Sequence, residues 1–224
     1  MTPADAKTLS EHAVQRIEAD ILAGVLPPGG RLGIVETAAR YGVGATPLRE
    51  ALSRLAARGL VDVSGNRGFR VKPVSREDLA DIVRVRTVIE KEALKLGIAA
   101  GDDAWEGVIV AALHRLKRYV RENPRGFREG EPAFDALHKG FHMALIAACG
   151  SSRMRAGCSS LYDEAYRYRR LMMASFPDRE IFLEAHDKLA QATLERRTSR
   201  ATELLEAHIA STLKYVYPED AEHG

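Results

Sequence analysis

Only two cysteines, Cys149 and Cys158, occur among the 224 residues, and neither belongs to a Cys-x-x-Cys pair. That scarcity excludes a disulfide framework and a thiolate metal site, and both residues are expected as core thiols. No stretch of about 18 apolar residues is available to cross a bilayer. The polar opening MTPADAKTLSEH lacks the charged-then-apolar order of a signal peptide, so a cytoplasmic location without membrane contact is expected. Also missing are a Gly-x-Ser-x-Gly elbow, a P-loop and a Cys/His nucleophile arrangement, which leaves little basis for an enzyme. Charge of one sign is not in excess either: 33 Lys and Arg stand against 31 Asp and Glu.

What is present suits a globular protein with one large core or two modest ones, at 46% hydrophobic and 29% charged residues. The charge is uneven along the chain. Residues 1–73 hold 10 basic and 7 acidic side chains, whereas residues 74–224 hold 23 and 24, so a phosphate-binding face is expected in the front part.

Leu9, Val14, Ile17 and Ile21 are spaced for one face of a helix that Gly24 and the Leu26-Pro27-Pro28-Gly29-Gly30 turn end. A short helix fits Val35 to Tyr41, Gly42 can supply a left-handed turn, and Thr46-Pro47 reads as the N-cap and first turn of a third helix to about Ala57. That helix turns Leu48, Leu52 and Leu55 inward and lets Arg49 and Arg54 project outward. The period then changes to two. Val61 and Val63 alternate with polar residues, Ser64-Gly65-Asn66-Arg67-Gly68 makes a turn, and Phe69 and Val71 alternate again, which is a β-hairpin. Three helices and a basic-tipped hairpin make a winged helix-turn-helix, with Arg67 and Arg70 placed for the sugar-phosphate backbone.

Pro28-Gly29-Gly30-Arg31-Leu32, Gly42 through Leu52, Arg54-Leu55, Gly59-Leu60-Val61, Arg67-Gly68 and Val71 together resemble the GntR family of bacterial transcription regulators over about 60 residues. The resemblance implies DNA contacts from Arg31, Thr46, Arg49, Arg54, Arg67, Gly68 and Arg70, on a double-stranded operator of inverted-repeat form read by a homodimer. In the family the third helix usually opens with Ser-Arg-Thr-Pro. Here Gly44 and Ala45 precede Thr46 and Pro47, so two polar contacts are missing and base preference is expected to differ at one or two positions.

Lys72-Pro73-Val74 ends the wing, which divides the chain into residues 1–73 and 74–224. Helical stretches are expected at about 76–100, 103–122, 131–149, 153–174, 178–197 and 199–216, an all-helical bundle of about six helices. The whole is therefore mainly α.

Four of the seven histidines fall on apolar stripes of these helices. His138 and His142 share a face with Phe134, Phe141 and Leu145, one turn apart, a spacing that permits chelation. His186 lies in line with Phe182 and Leu189, and His208 lies among Leu204, Leu205, Thr212 and Tyr215. One such imidazole reads as a hydrogen-bonded core residue; four on apolar faces point to a metal. His12, His114 and His223 lack the pattern and are expected at the surface. His138-Lys139-Gly140-Phe141-His142 also has the two-histidine spacing of a zincin helix, but Lys139 occupies the place of the glutamate base that a hydrolase needs.

Val85-Arg86 with Glu90, the run from Phe141-His142 to Cys149-Gly150, and His186 with His208 resemble the FCD domain, the helical ligand-binding unit of the FadR-like branch of the GntR family. About six helices lean toward its VanR-like subgroup. The resemblance implies His142, His186 and His208 as metal ligands, with His138 standing where the family usually has Asp. Four nitrogen donors would favour zinc, nickel or copper over magnesium, calcium or manganese, zinc first among them. If His138 does not bind, three histidines remain, with Asp135 one turn earlier as an acceptor for a ring N–H. The resemblance also implies a small carboxylate effector held by Arg86, against the plainer reading of an Arg86–Glu90 helix pair. A purely structural metal is the remaining alternative, and it requires no pocket beside the histidines.

Overall fold

The computed structural model describes residues 3–63, 68–128, 131–172 and 178–218, and the chain separates into two compact units, Met1–Ser75 and Arg76–Gly224. Among the described residues the first unit holds α1 (Pro3–Leu22), β1 (Arg31–Leu32), α2 (Ile34–Tyr41), α3 (Ala45–Ala57), β2 (Val61–Val63) and β3 (Phe69–Val71). Its core forms where the leucine stripe of α3, Leu48, Leu52 and Leu55, meets Ile17 and Ile21 of α1 and Leu32, Phe69 and Val71 of the sheet. Burial of such side chains stabilises by about 1.5–3 kcal/mol each. Between α2 and α3 the chain turns on Gly42, whose φ of +67° lets its N–H return to the carbonyls of Ala38 and Ala39. Only a residue without Cβ enters that region cheaply.

Two details differ from expectation. The N-cap of α3 is Gly44, not Thr46, and no side chain caps this end, so Thr46 sits one residue inside the first turn and is exposed. The hairpin carries a third strand that periodicity could not reveal, because β1 is only two residues long. β3 lies between β1 and β2 in an antiparallel sheet, with Arg31 opposite Arg70 and Asp62 opposite Arg70 on its other side.

The second unit is α4 (Arg76–Ala100), α5 (Asp103–Glu122), α6 (Pro132–Leu145), α7 (Ser152–Met172), α8 (Arg179–Leu194) and α9 (Thr198–Val216), six helices with no strand among the described residues. The helix α6 stops four residues short of the expected end, and Gly150 at φ +72° completes the turn into α7. The core runs through Leu94, Leu116, Phe134, Phe141, Leu145, Leu189, Leu205 and Ile209, and both Cys149 and Cys158 are buried free thiols within it. Directed polar contacts fix the helices against one another. The Trp105 indole N–H donates to the Ala144 carbonyl at 3.0 Å, tying α5 to α6, and Lys117 reaches Asp187 of α8 at 2.6 Å. Lys139 of α6 pairs with Asp163 of α7 at 2.6 Å, and Arg196, between α8 and α9, donates to the carbonyls of Ile98 and Gly101. No described helix is long and apolar enough to cross a membrane.

Candidate DNA-reading face and metal centre

In the first unit, Thr46 and Arg49 lie exposed on α3, the helix held from behind by its buried leucines. Arg54 pairs with Glu50 at 2.5 Å and reaches Glu11 at 3.9 Å, both exposed ion pairs on the free protein's surface. Arg31 and Arg70 stand directly opposite each other on adjacent strands and are both exposed. Like charges so placed repel in the free protein, and a phosphate between them would relieve that repulsion. Arg70 also donates to the Gly29 carbonyl, which holds the turn before β1. Gly68 enters β3 at φ +97°. Arg67 lies outside the described residues.

In the second unit, the ring nitrogens of His138, His142, His186 and His208 all come within 4.8 Å of one another. The helix α6 presents the first two from successive turns, while α8 and α9 each bring one. Nε2 of His142 lies 3.2 Å from Nε2 of His138 and 3.1 Å from Nε2 of His208. One nitrogen carries either one proton or one lone pair, so it cannot make two well-directed hydrogen bonds to both neighbours. The separations approach the edge of about 3.3 Å expected when nitrogens surround zinc at about 2.0–2.1 Å. His186 supplies the clearest sign. Its Nδ1–H donates to the Phe182 carbonyl at 2.7 Å, which leaves Nε2 as a buried lone pair without a hydrogen-bond partner. Such a tautomer-fixing bond is the usual support of a metal-binding imidazole.

Three phenylalanines pack against the cluster. The Phe182 ring lies tilted at 4.0 Å from the His186 ring, Phe141 lies 5.3 Å from it, and Phe134 lies 5.5 Å from His138. Burial therefore drives the acidity of these imidazoles: His186 is pushed down to about 4, and His138, His142 and His208 fall well below their ordinary 6.5, chiefly by desolvation. All four are neutral near pH 7, the form in which imidazole binds metal. Asp135 does not support the centre in the expected way. It accepts from the Tyr166 hydroxyl, while Nδ1 of His138 has no hydrogen-bond partner. His12 and His114 are exposed, and His223 lies outside the described residues.

Arg86 is buried at 2% exposure and its Nε donates to Glu90, also 2% exposed, at 2.7 Å. The helix pair is thus present, and the guanidinium is nevertheless close enough to depress the protonation of His142 and His208. Sequence reading missed a second cation. Arg169 of α7 is buried, acts on His138, His142 and His208 in the same sense, and lies 4.8 Å from the Tyr162 ring, which Arg86 also approaches at 5.1 Å. The only signal was the run Tyr166-Arg167-Tyr168-Arg169-Arg170, which has no apolar periodicity yet belongs to a packed helix. Beside the cluster a cleft of about 330 Å³ opens between α8 and α9, with His186 and His208 in its wall.

A winged helix-turn-helix followed by a helical unit that gathers four histidines defines a two-domain DNA-binding protein. The family model for "Bacterial regulatory proteins, gntR family" matches residues 9–71, and that for "FCD domain" matches residues 81–211. The chain belongs to the GntR family of bacterial regulators and carries the FCD domain, so it is a DNA-binding transcription regulator. It is 39% identical over 218 residues to the uncharacterized HTH-type transcriptional regulator BphR of Paraburkholderia xenovorans (strain LB400), covering 95% of this chain and 87% of that one. It is 34% identical over 201 residues to the HTH-type transcriptional repressor GlaR of Escherichia coli (strain K12), covering 88% and 90%. The solved structure of E. coli McbR/YncC shares the fold, with a TM-score of 0.74 at 19% identity over 94% of this chain and 98% of that one. These relatives are regulators, not enzymes.

Proposed function

We propose that this protein is a homodimeric repressor that holds a divalent transition metal, zinc before nickel, on His138, His142, His186 and His208, and leaves an inverted-repeat operator when a small carboxylate binds beside the metal. The observation that carries this reading is the convergence of four neutral ring nitrogens, with the His186 lone pair otherwise unmet. The donor set fits the group. Four imidazole nitrogens suit zinc or nickel and not the oxygen-seeking cations. When bound, the metal supplies a positive pole for a carboxylate. The chain's own part is to shield one side of the cluster with Phe134, Phe141 and Phe182, to fix the His186 tautomer through Phe182, and to set Arg169 and the Arg86–Glu90 pair nearby.

Dimerisation and repression rest on kinship and geometry. Helix-turn-helix readers gain useful affinity from two half-sites about one helical turn apart, and GlaR is described as a repressor. Thr46 and Arg49 would then meet the major groove, and Arg31 and Arg70 the phosphates. The cleft beside His186 and His208 favours a sensing role over a purely structural metal, which needs no such opening. The hydrolase reading fails at Lys139, whose ammonium pairs with Asp163 and cannot accept a proton from metal-bound water. The test is metal content by elemental mass spectrometry on the untagged protein and on His142→Ala, with release from its operator on adding metal-chelating carboxylates. Stoichiometric metal lost in the variant is expected; a metal-free wild type that takes up neither zinc nor nickel overturns the reading.

A further inference from the structure

The charge of the second unit is near balance only as a whole. Residues 107–128, on α5 and the turn after it, hold five arginines and one lysine against a single acid, Glu122, while the remainder of residues 74–224 holds 17 basic and 23 acidic side chains. The helix buries Ile109, Ala112, Leu116 and Val120. On its opposite side His114, Arg118 and Arg121 stand exposed, with Arg115 beside them and Arg125 continuing the line beyond the helix end. Several surface cations elsewhere on this unit are matched: Lys91 pairs with Glu206, Lys188 with Glu184, Arg196 with Glu106 and Arg200 with Glu203. On α5 only Lys117 is, with Asp187, whereas Arg115, Arg118, Arg121 and Arg125 meet no acid among the described residues. A shallow hollow of about 550 Å³ runs along this face, with His114, Lys117, Arg118 and Arg121 in its wall. Like charges three or four residues apart on a helix repel, so the stripe costs the free protein stability and calls for a counter-charge from outside.

We propose that this face of α5 is a second DNA contact, independent of base sequence, in which Arg115, Arg118, Arg121 and Arg125 bind backbone phosphates of duplex DNA. The inference is independent of the metal reading above. Charge complementarity carries it. The cations are strung along the helix rather than converging on one point, and none of them is buried, which suits a linear polyanion and not a compact anion. From His114 to Arg121 the helix rises about 10 Å, a length over which a duplex offers about six phosphate charges. The side chains are arginines, whose planar fork matches two phosphate oxygens at once. A protein held on DNA by its winged unit already has duplex at high effective concentration, so exposed contacts too weak to act alone add to the whole. An acidic protein segment has no such advantage.

The test uses the full-length protein and a labelled duplex of random sequence, with binding followed by fluorescence anisotropy between about 50 and about 200 mM salt. The variant carries Arg115→Gln, Arg118→Gln, Arg121→Gln and Arg125→Gln, all exposed positions, and circular dichroism checks that its fold is kept. Each phosphate contact contributes about 0.9 to the slope of log affinity against log salt, so the variant should bind with a slope shallower by about 2–4 and with at least about tenfold lower affinity at the low-salt end. Replacing the same four residues by lysine keeps the charge and should keep the slope. The pair Arg118→Gln and Arg121→Gln alone should lose about half of it. Energy transfer between two differently labelled duplexes on the wild type distinguishes a second duplex from a flank of the first, for which binding instead strengthens as one duplex is lengthened. An unchanged slope and affinity in the fourfold glutamine variant overturns the inference. So does poly-L-glutamate that binds the wild type and not the glutamine variant while both bind duplex alike, which assigns the stripe to acidic protein segments.

Discussion

His186 shows how much one side chain can carry. Its Nδ1–H is committed to Phe182 and its Nε2 is left buried and unmet, a state that costs about 1–3 kcal/mol unless something accepts the lone pair. His186→Ala is therefore expected to lose metal by more than the roughly 10–100-fold typical of outer supporting residues, read as metal content after dialysis. His138→Asp restores the carboxylate that the family usually places there. It should keep metal binding but move the balance toward manganese when zinc and manganese compete, read by elemental analysis. Acidity follows the same burial. In the metal-free protein the folded-state values lie below those of the unfolded chain, 6.5 falling to about 4 for His186, so unfolding takes up protons. The stability involved is complete above about pH 6.5 and is lost as the pH falls toward and through about 4; the urea midpoint of chelator-treated protein should drop between about pH 7.5 and about pH 5. On α3, Arg49→Ala should weaken specific operator binding at least about tenfold, the cost of one bidentate base contact, with metal content unchanged; normal affinity would remove α3 from the recognition role.

Elements decide whether these residues meet. The helix α6 can offer two ligands because a spacing of four places them on one face, but α8 and α9 must deliver theirs from elsewhere in the bundle, with Lys117–Asp187 holding α8 against α5. In the first unit the angle between α2 and α3 depends on Gly42. Gly42→Val would force a β-branched side chain to φ near +67°, so the first unit should lose at least about 1–2 kcal/mol, seen as an earlier urea transition by circular dichroism.

At the level of the whole molecule, a ligand that binds only the folded state stabilises it by mass action. Metal held at about 100 times its dissociation constant adds about 2.7 kcal/mol. For a chain of this size that shifts Tm by about 5–10 °C, measured with and without chelator; no shift would contradict a metal built into the bundle. Binding to DNA through opposed arginines such as Arg31 and Arg70 should also weaken steeply with salt, since each phosphate neutralised releases counterions.

The helices and the leucine stripe of α3 were legible in the linear pattern, because periodicity reports which face of a local element is buried. So were the four histidines, since a polar ring on an apolar stripe contradicts its surroundings at short range. The two-residue strand β1 was hidden because it has no period of its own and exists only through pairing with β3. The true cap at Gly44, the reach of Arg54 to Glu11, and the transfer of Asp135 to Tyr166 depended on neighbours distant in sequence or on local backbone geometry. Arg169 and the α8–α9 cleft lay further out of reach. Tertiary structure alone decided them, because the environment of a buried cation and the shape of an opening between two helices are set by packing across the bundle.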